Sequence, residues 1–244
     1  MWRLCIAIMA GCGRISFDPT GAVDAPVGAT DGARTADAAP EPGLLLHFAF
    51  ESDGLMHDRA PAHHEATCTT CPTTAPGPIG GGAASFAGGA CLTIADAMDL
   101  RPPHFTVSLW LDPASVSAMP QTALSRPLNG ATAGTNTLEM FVDGGDVWKL
   151  AVNTMSKART LDHGVWHHVL GTFDGDLLTM YVDGAQNGAP LATGPASYAA
   201  GDALHLGCDV NSGIESNHMT GLIDEVRLYD RVLDPTEIAT LAGP

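Results

Sequence analysis

Residues 166–184 read WHHVLGTFDGDLLTMYVDG: two short apolar runs, split by Asp174-Gly175 and closed by Asp183-Gly184. Asp-Gly between alternating apolar runs predicts a hairpin, because glycine takes the positive φ that a tight strand-to-strand turn needs. The same stretch holds His167 and His168, with His163 just upstream in HGVWHH, a cluster that invites metal or imidazole chemistry. On a strand, however, neighbouring His167 and His168 point to opposite faces and cannot share one ion. His163 and His167 are four apart, which aligns them on a helix but not across a turn containing Gly164. The histidines therefore read as scaffold.

Outward from this hairpin the chain repeats the pattern. LLLHFAF (44–50), ACLTIA (90–95), HFTVSLWL (104–111), TLEMFV (137–142), VWKLAV (147–152), ALHLG (203–207) and GLIDEVRLY (221–229) are short apolar runs separated by turn chemistry. Such a beat predicts an all-β sandwich or jelly roll. One helix is expected, in LDPTEIATLAG (233–243), with Asp234 as N-cap, Pro235 at the first helical position, Glu237 completing a capping box and Gly243 beyond the end. Ile238 and Leu241 would face the sandwich.

The N-terminus is organised differently. MWRLCIAIMAGCG offers Arg3, a short apolar stretch from Leu4 to Ala10, and small residues before Cys12. It resembles a bacterial lipoprotein signal, with Met9 where leucine is usual, so residues 1–12 are expected to be the signal and Cys12 the lipidation site. Gly13 after that cysteine does not resemble an inner-membrane retention signal, which favours the outer membrane or cell surface. Residues 13–43 follow, and from Asp18 to Gly43 they are almost entirely Ala, Pro, Gly, Asp, Thr and Val. Too little apolar surface is available there to offset chain entropy, and a disordered tether is expected.

Acidic residues number 27 against 11 Lys and Arg, a formal net charge of −16. A phosphate backbone would repel such a chain, which argues against nucleic-acid binding. Without Cys5 and Cys12, four cysteines remain: Cys68, Cys71, Cys91 and Cys208. In an exported chain they predict two disulfides, with three pairings possible. Cys68 with Cys71, and Cys91 with Cys208, are the natural partners. A four-cysteine zinc site is the lesser alternative, since the second pair lacks CxxC spacing.

GVWHHVLGTFDGDLLTMYVDG (164–184) and GLIDEVRLYDRVLDPTEIATL (221–241) resemble the two most recognisable stretches of laminin-G-like (concanavalin A-like) jelly-roll domains of bacterial surface proteins. HFAFESDG (47–54) and SFAGGACLTIADAMDLRPPHFTVSLWL (85–111) resemble that family's earlier strands. The resemblance implies that residues 44–244 form a two-sheet antiparallel sandwich with a short C-terminal helix. It leaves the activity open, because this fold carries lectins, adhesion modules, glycosidases and plain spacers.

Three sets of residues are candidates for chemistry. Strict alternation in GLIDEVRLY puts Asp224 on one face with Leu222, Val226 and Leu228. A carboxylate there needs partners: either backbone amides, or a structural calcium of the kind the resemblance implies, with Glu51, Asp53 and Asp58 near the first strand as further oxygen donors. Glu139 and Asp143 share a strand face, but they lack the compact acidic strand of the hydrolases of this fold. They read as one exposed acid and one turn residue. For a glycan site, Trp148 is the aromatic expected to be exposed, with Asn211, Glu215, Asn217 and His218 lining a polar loop. Trp110 and Trp166 read as scaffold. The expected function is a non-catalytic surface module that binds extracellular glycan or protein. A ligand-free structural module is the alternative, and a diverged glycosidase comes behind both.

Overall fold

A computed structural model describes residues 41–114, 120–128 and 136–243. The signal, Cys12 and the tether up to residue 40 lie outside the described residues. In chain order the first strands are β1 (Leu44–Phe48), β2 (Ala66–Thr67), β3 (Thr73–Ala75), β4 (Ala83–Ala87), β5 (Leu92–Ile94) and β6 (Phe105–Pro113). Then come β7 (Gln121–Pro127), β8 (Asn136–Val142), β9 (Val147–Val152), β10 (Met155–Thr160), β11 (His167–Phe173) and β12 (Leu177–Val182). The last are β13 (Ala185–Gln186), β14 (Leu191–Ala192), β15 (Leu204–Leu206), β16 (Asp209–Asn211), β17 (Ile214–Ser216) and β18 (Thr220–Tyr229), followed by α1 (Pro235–Leu241).

Two large antiparallel sheets result. The nine-stranded sheet runs β13-β12-β11-β6-β18-β4-β3, with β1 also paired to β18 and β14 to β12. The seven-stranded sheet runs β10-β9-β8-β7-β15-β5-β2, and β16 and β17 form a small hairpin of their own. The opening hairpin forms as expected: β11 pairs β12 from Val169–Val182 to Phe173–Leu178, and its far turn has Asp183 at φ 51° and Gly184 at φ 75°.

Alternation builds the core between the sheets. Phe105, Val107, Leu109 and Leu111 of β6 face Leu138, Met140 and Val142 of β8 and the inward residues of β9 within one apolar cluster. Each such side chain contributes about 1.5–3 kcal/mol on burial. A second, smaller cluster of Leu170, Tyr229, Leu233 and Ile238 forms where α1 packs on the outer face of the nine-stranded sheet. The helix is capped as the sequence implies: Asp234 accepts the amides of Thr236 and Glu237, and Glu237 accepts the Asp234 amide at 2.9 Å.

The boundary of the folded part moves slightly. Glu41–Gly43, expected in the tether, are held by β18 and the turn after it. Tyr229 Oη donates to the Glu41 carboxylate, Arg231 Nε to Pro42 O (2.8 Å) and the Asp230 amide to Gly43 O (2.9 Å). Among the described residues no helix is long and apolar enough to cross a membrane. Cys68 is bonded to Cys71 and Cys91 to Cys208.

Candidate functional site

The polar residues of the sandwich collect in two places. The first is beneath the segment Gly77–Gly82. Strict alternation along β18 fails, because its register with β6 shifts between Asp224 and Arg227 and Glu225 takes φ 52°. This bulge adds one residue to the strand. Ile223, opposite Leu111, and Val226 both reach the core. Asp224, opposite Trp110, is therefore turned to the outer face together with Leu222, away from Val226 and Leu228, which reach the core.

Asp224 is nonetheless fully buried. Its Oδ1 accepts the Glu225 amide at 2.7 Å, while Oδ2 has no hydrogen-bond partner among the described residues. Burial pushes its pKa up to about 8, with the charges of Glu225 and Glu51 adding to the effect and the amides of Glu225 and Ile79 opposing it. Glu51 lies alongside, half-buried, with Oε1 accepting the Gly82 amide at 3.3 Å. Glycine is required here by close approach. A Cβ on Gly77 would sit 2.6 Å from Asp224 Oδ2 and 2.0 Å from Gly82 O, and one on Gly80 would sit 2.1 Å from Glu51 Oε1. Asp224 Oδ2 and Gly82 O thus crowd Gly77, Glu51 Oε1 crowds Gly80 and Phe50 O crowds Gly82, and carboxylate and carbonyl oxygens are the donors that suit a hard cation such as Ca2+.

Two expected ligands are elsewhere. Asp53 turns outward and pairs with Arg59 at 2.6 Å. Asp58 is buried but saturated by backbone: Oδ1 accepts the amides of His47 and Ala60, and Oδ2 that of His64 at 2.7 Å. The carboxylate satisfied by amides, one alternative for Asp224, is realised at Asp58.

The second place is the outer face of the seven-stranded sheet. On β8, Leu138, Met140 and Val142 go inward, which leaves Glu139 and Phe141 half-exposed outward. Phe141 carries the Lys149 ammonium 5.4 Å from its ring centre, and Lys149 in turn pairs with Asp143. Glu139 is boxed in: Thr122 Oγ1 donates to it at 3.2 Å and the Asn136 amide also bonds it. Burial raises its pKa to about 7, with the charges of Asp209 and Asp143 adding and the Asn136 and Thr122 bonds opposing. The upward shift favours the protonated acid, which can donate to a hydroxyl, whereas the carboxylate can only accept.

The β16–β17 hairpin closes one side of this face. Asp209 is buried, with Oδ1 accepting from Asn136 (3.3 Å) and Oδ2 from Asn211 (2.9 Å). The Thr122 backbone amide donates to Asn217 O at 2.8 Å, and Thr122 bridges to His218. Asn211, Asn217 and His218 are thus brought to the Glu139 cluster. Glu215 is exposed on the outer strand of the hairpin, paired with Val210.

Trp148 departs from expectation. It is 1% exposed, while its neighbour Val147 is 43% exposed. The Gly144-Gly145 turn sets the register that pairs Trp148 with inward-facing Val142, so the indole enters the core and the exposed aromatic of this sheet is Phe141. The histidines of the opening stretch are tied into the strand by hydrogen bonds. Asp183 accepts the His168 amide and pairs with His167 Nδ1 at 3.0 Å, and buried His168 meets Ser108 Oγ at 2.8 Å.

Residues 86–239 match a family model, Laminin_G_3 of the concanavalin A-like lectin/glucanases superfamily. The chain belongs to this family. Its laminin G-like domain is similar in structure to domain 4 of AbnA, a GH43 extracellular arabinanase from Geobacillus stearothermophilus solved with arabinotriose. That likeness has a TM-score of 0.66 at 21% identity, covering 83% of this chain and 100% of that one. It is also similar to botulinum neurotoxin type C, from a study of cell entry through two ganglioside molecules (TM-score 0.61, 12% identity, 82% of this chain and 50% of that one). In sequence, 128 residues are 28% identical to the Sushi, von Willebrand factor type A, EGF and pentraxin domain-containing protein 1 of Rattus norvegicus. The match spans 48% of this chain and 4% of that protein.

Five residues of this outer face were not singled out in sequence: Thr122, Asn136, Phe141, Lys149 and Asp209. Asp209 stands inside the polar loop CDVNSGIESNH, which was the available signal. Thr122 and Asn136 carried none.

Proposed function

We propose that this laminin G-like domain is a non-catalytic recognition module, whose ligand is an extracellular glycan bound across β8, β9 and the β16–β17 hairpin. The observation that carries this reading is Glu139 and Phe141 standing side by side, half-exposed, on one sheet face. Sugars are held by an apolar ring under their C–H face and by acids and amides on their hydroxyls. Phe141 offers the ring, while Glu139, Asn136 and Asn211 offer the hydrogen bonds. The Lys149–Asp143 pair at the rim adds a donor and an acceptor.

A hydrolase needs a second carboxylate free to act as nucleophile or base. Asp209 is buried with both oxygens taken by amides, which favours binding over cleavage. The oxygen cradle of Asp224, Glu51 and the Gly77–Gly82 segment supports a calcium whose role is structural, since Glu51 belongs to the turn after β1 and Asp224 to β18. When bound, the ion would neutralise Asp224 and fix that turn to the last strand.

Upstream, lipidation at Cys12 and a tether up to about residue 40 would present the module at the outer membrane or cell surface. Labelling with a palmitate analogue, lost in Cys12→Ala, tests that part. The binding reading is tested on a glycan array with Ca2+ and again with chelator. Saturable binding that Phe141→Ala weakens supports it. A blank array under both conditions overturns it and leaves a protein-binding or spacer module.

A further inference from the structure

Cys91 lies just before β5 and Cys208 just after β15, and these two strands are neighbours in the seven-stranded sheet. His205, on β15, is turned toward the bridge. Its Nδ1 is 4.0 Å from Cys91 Sγ and 3.2 Å from Thr93 Oγ1. The two sulfurs and one imidazole nitrogen lie within 4.8 Å of one another, and all three residues are buried.

We infer that Cys91, Cys208 and His205 form a latent zinc site, in which a thiophilic divalent cation and the disulfide are alternative occupants of one buried position. Zinc bonds to sulfur at about 2.3 Å and to imidazole at about 2.0–2.1 Å, so tetrahedral ligand atoms stand roughly 3.6–3.8 Å apart. The 4.0 Å between Cys91 Sγ and His205 Nδ1 is already near that spacing. Breaking their bond lets the two sulfurs separate, by side-chain rotation, around the imidazole nitrogen that lies within 4.8 Å of both. Thr93 Oγ1 is the nearest further oxygen to the imidazole nitrogen. The Cys68–Cys71 pair has no histidine in such a cluster among the described residues.

The chemistry balances as follows. A dithiol reductant gives two electrons to the Cys91–Cys208 bond, which breaks as the reductant closes its own disulfide, and two protons pass to the protein thiols. Zinc then displaces both protons to solvent as it bonds the two thiolates, and His205 Nδ1 supplies its lone pair. The consequence is one fold with two pins, a metal in a reducing compartment and a covalent bond in an oxidising one.

Cadmium titration of the full-length chain with Cys5, Cys12, Cys68 and Cys71 each changed to serine tests this, after dithiol reduction and removal of the reductant under argon. The expected result is a thiolate-to-cadmium charge-transfer band that saturates at one equivalent. It should be absent from the oxidised protein and at least roughly tenfold weaker in affinity in His205→Gln, since even outer-shell partners of a metal ligand act on that scale. Far-ultraviolet circular dichroism of both reduced proteins is read alongside. Absence of the band, equal affinity in His205→Gln, or loss of β structure on reduction before metal is added would each overturn the inference.

Discussion

The outer faces of the two sheets are built by the same alternation and end in opposite conditions. On the nine-stranded sheet, Trp110, Ser108, His168, Glu225 and Arg227 are all buried. Arg227 pairs with Glu225, which also meets His47 at 3.0 Å. On the seven-stranded sheet, the β16–β17 hairpin covers one side, while Glu139, Phe141 and Lys149 remain within reach of solvent. Polar residues alone do not mark a site. What distinguishes the second face is that its polar groups are partly wet and stand beside an aromatic ring.

The largest effect that sharpens this contrast belongs to the covered face. Arg227→Ala leaves Glu225 buried without its guanidinium and should cost about 3–5 kcal/mol, measured as a drop in the denaturant midpoint. Glycan binding by the surviving folded fraction should be unchanged. A loss of affinity there without a loss of stability would break the division between the faces.

Next comes the cradle. Free of cation, Asp224 holds a proton in the folded state that the unfolded chain gives up, across the window from 3.8 to about 8. Stability should therefore fall as pH rises through that window, because the folded state binds more protons there. Calcium should raise stability by about 2.7 kcal/mol at a hundredfold excess over its Kd. It should flatten the pH slope by taking the carboxylate, and both effects should vanish in Asp224→Asn. Differential scanning calorimetry at three pH values, with and without Ca2+, reads all three.

On the open face, Phe141→Ala should lower glycan affinity by roughly two- to tenfold, the worth of about 0.5–1.5 kcal/mol for an aromatic contact. Stability should change far less than in Trp148→Ala, where about 3–5 kcal/mol is expected for emptying a core site. Isothermal titration and urea unfolding of the two variants separate the roles of the two rings. The smallest effect is expected at Arg159, exposed on edge strand β10, where alanine should shift stability by no more than about 0.5 kcal/mol and leave binding intact.

The fold was legible because strands such as β8 and β12 carry their own period-two pattern, and β6, β11 and the capped helix their own boundary signals, so each could be read locally. Sites were less so, for reasons that are geometric. One residue of hairpin register decides whether Trp148 or Phe141 meets solvent, and the Gly144-Gly145 turn does not declare that register in sequence. One bulge residue moves Asp224 across β18, and alternation cannot foresee it. Glu139 looked like an ordinary surface acid, because the Asp209 hairpin that alters its charge state lies 70 residues away. Asp58 shows the converse: a carboxylate that suits a metal in sequence is taken by three backbone amides in space.

The most direct test of the account is amide chemical-shift mapping of the labelled domain, titrated with the strongest glycan found on the array. Perturbations concentrated on β7, β8, β9 and β16–β17 are predicted, with the interior of the nine-stranded sheet silent. Perturbations centred on β11, β6 and β18 would contradict it, and the open face would then be no more than a solvated edge of the scaffold.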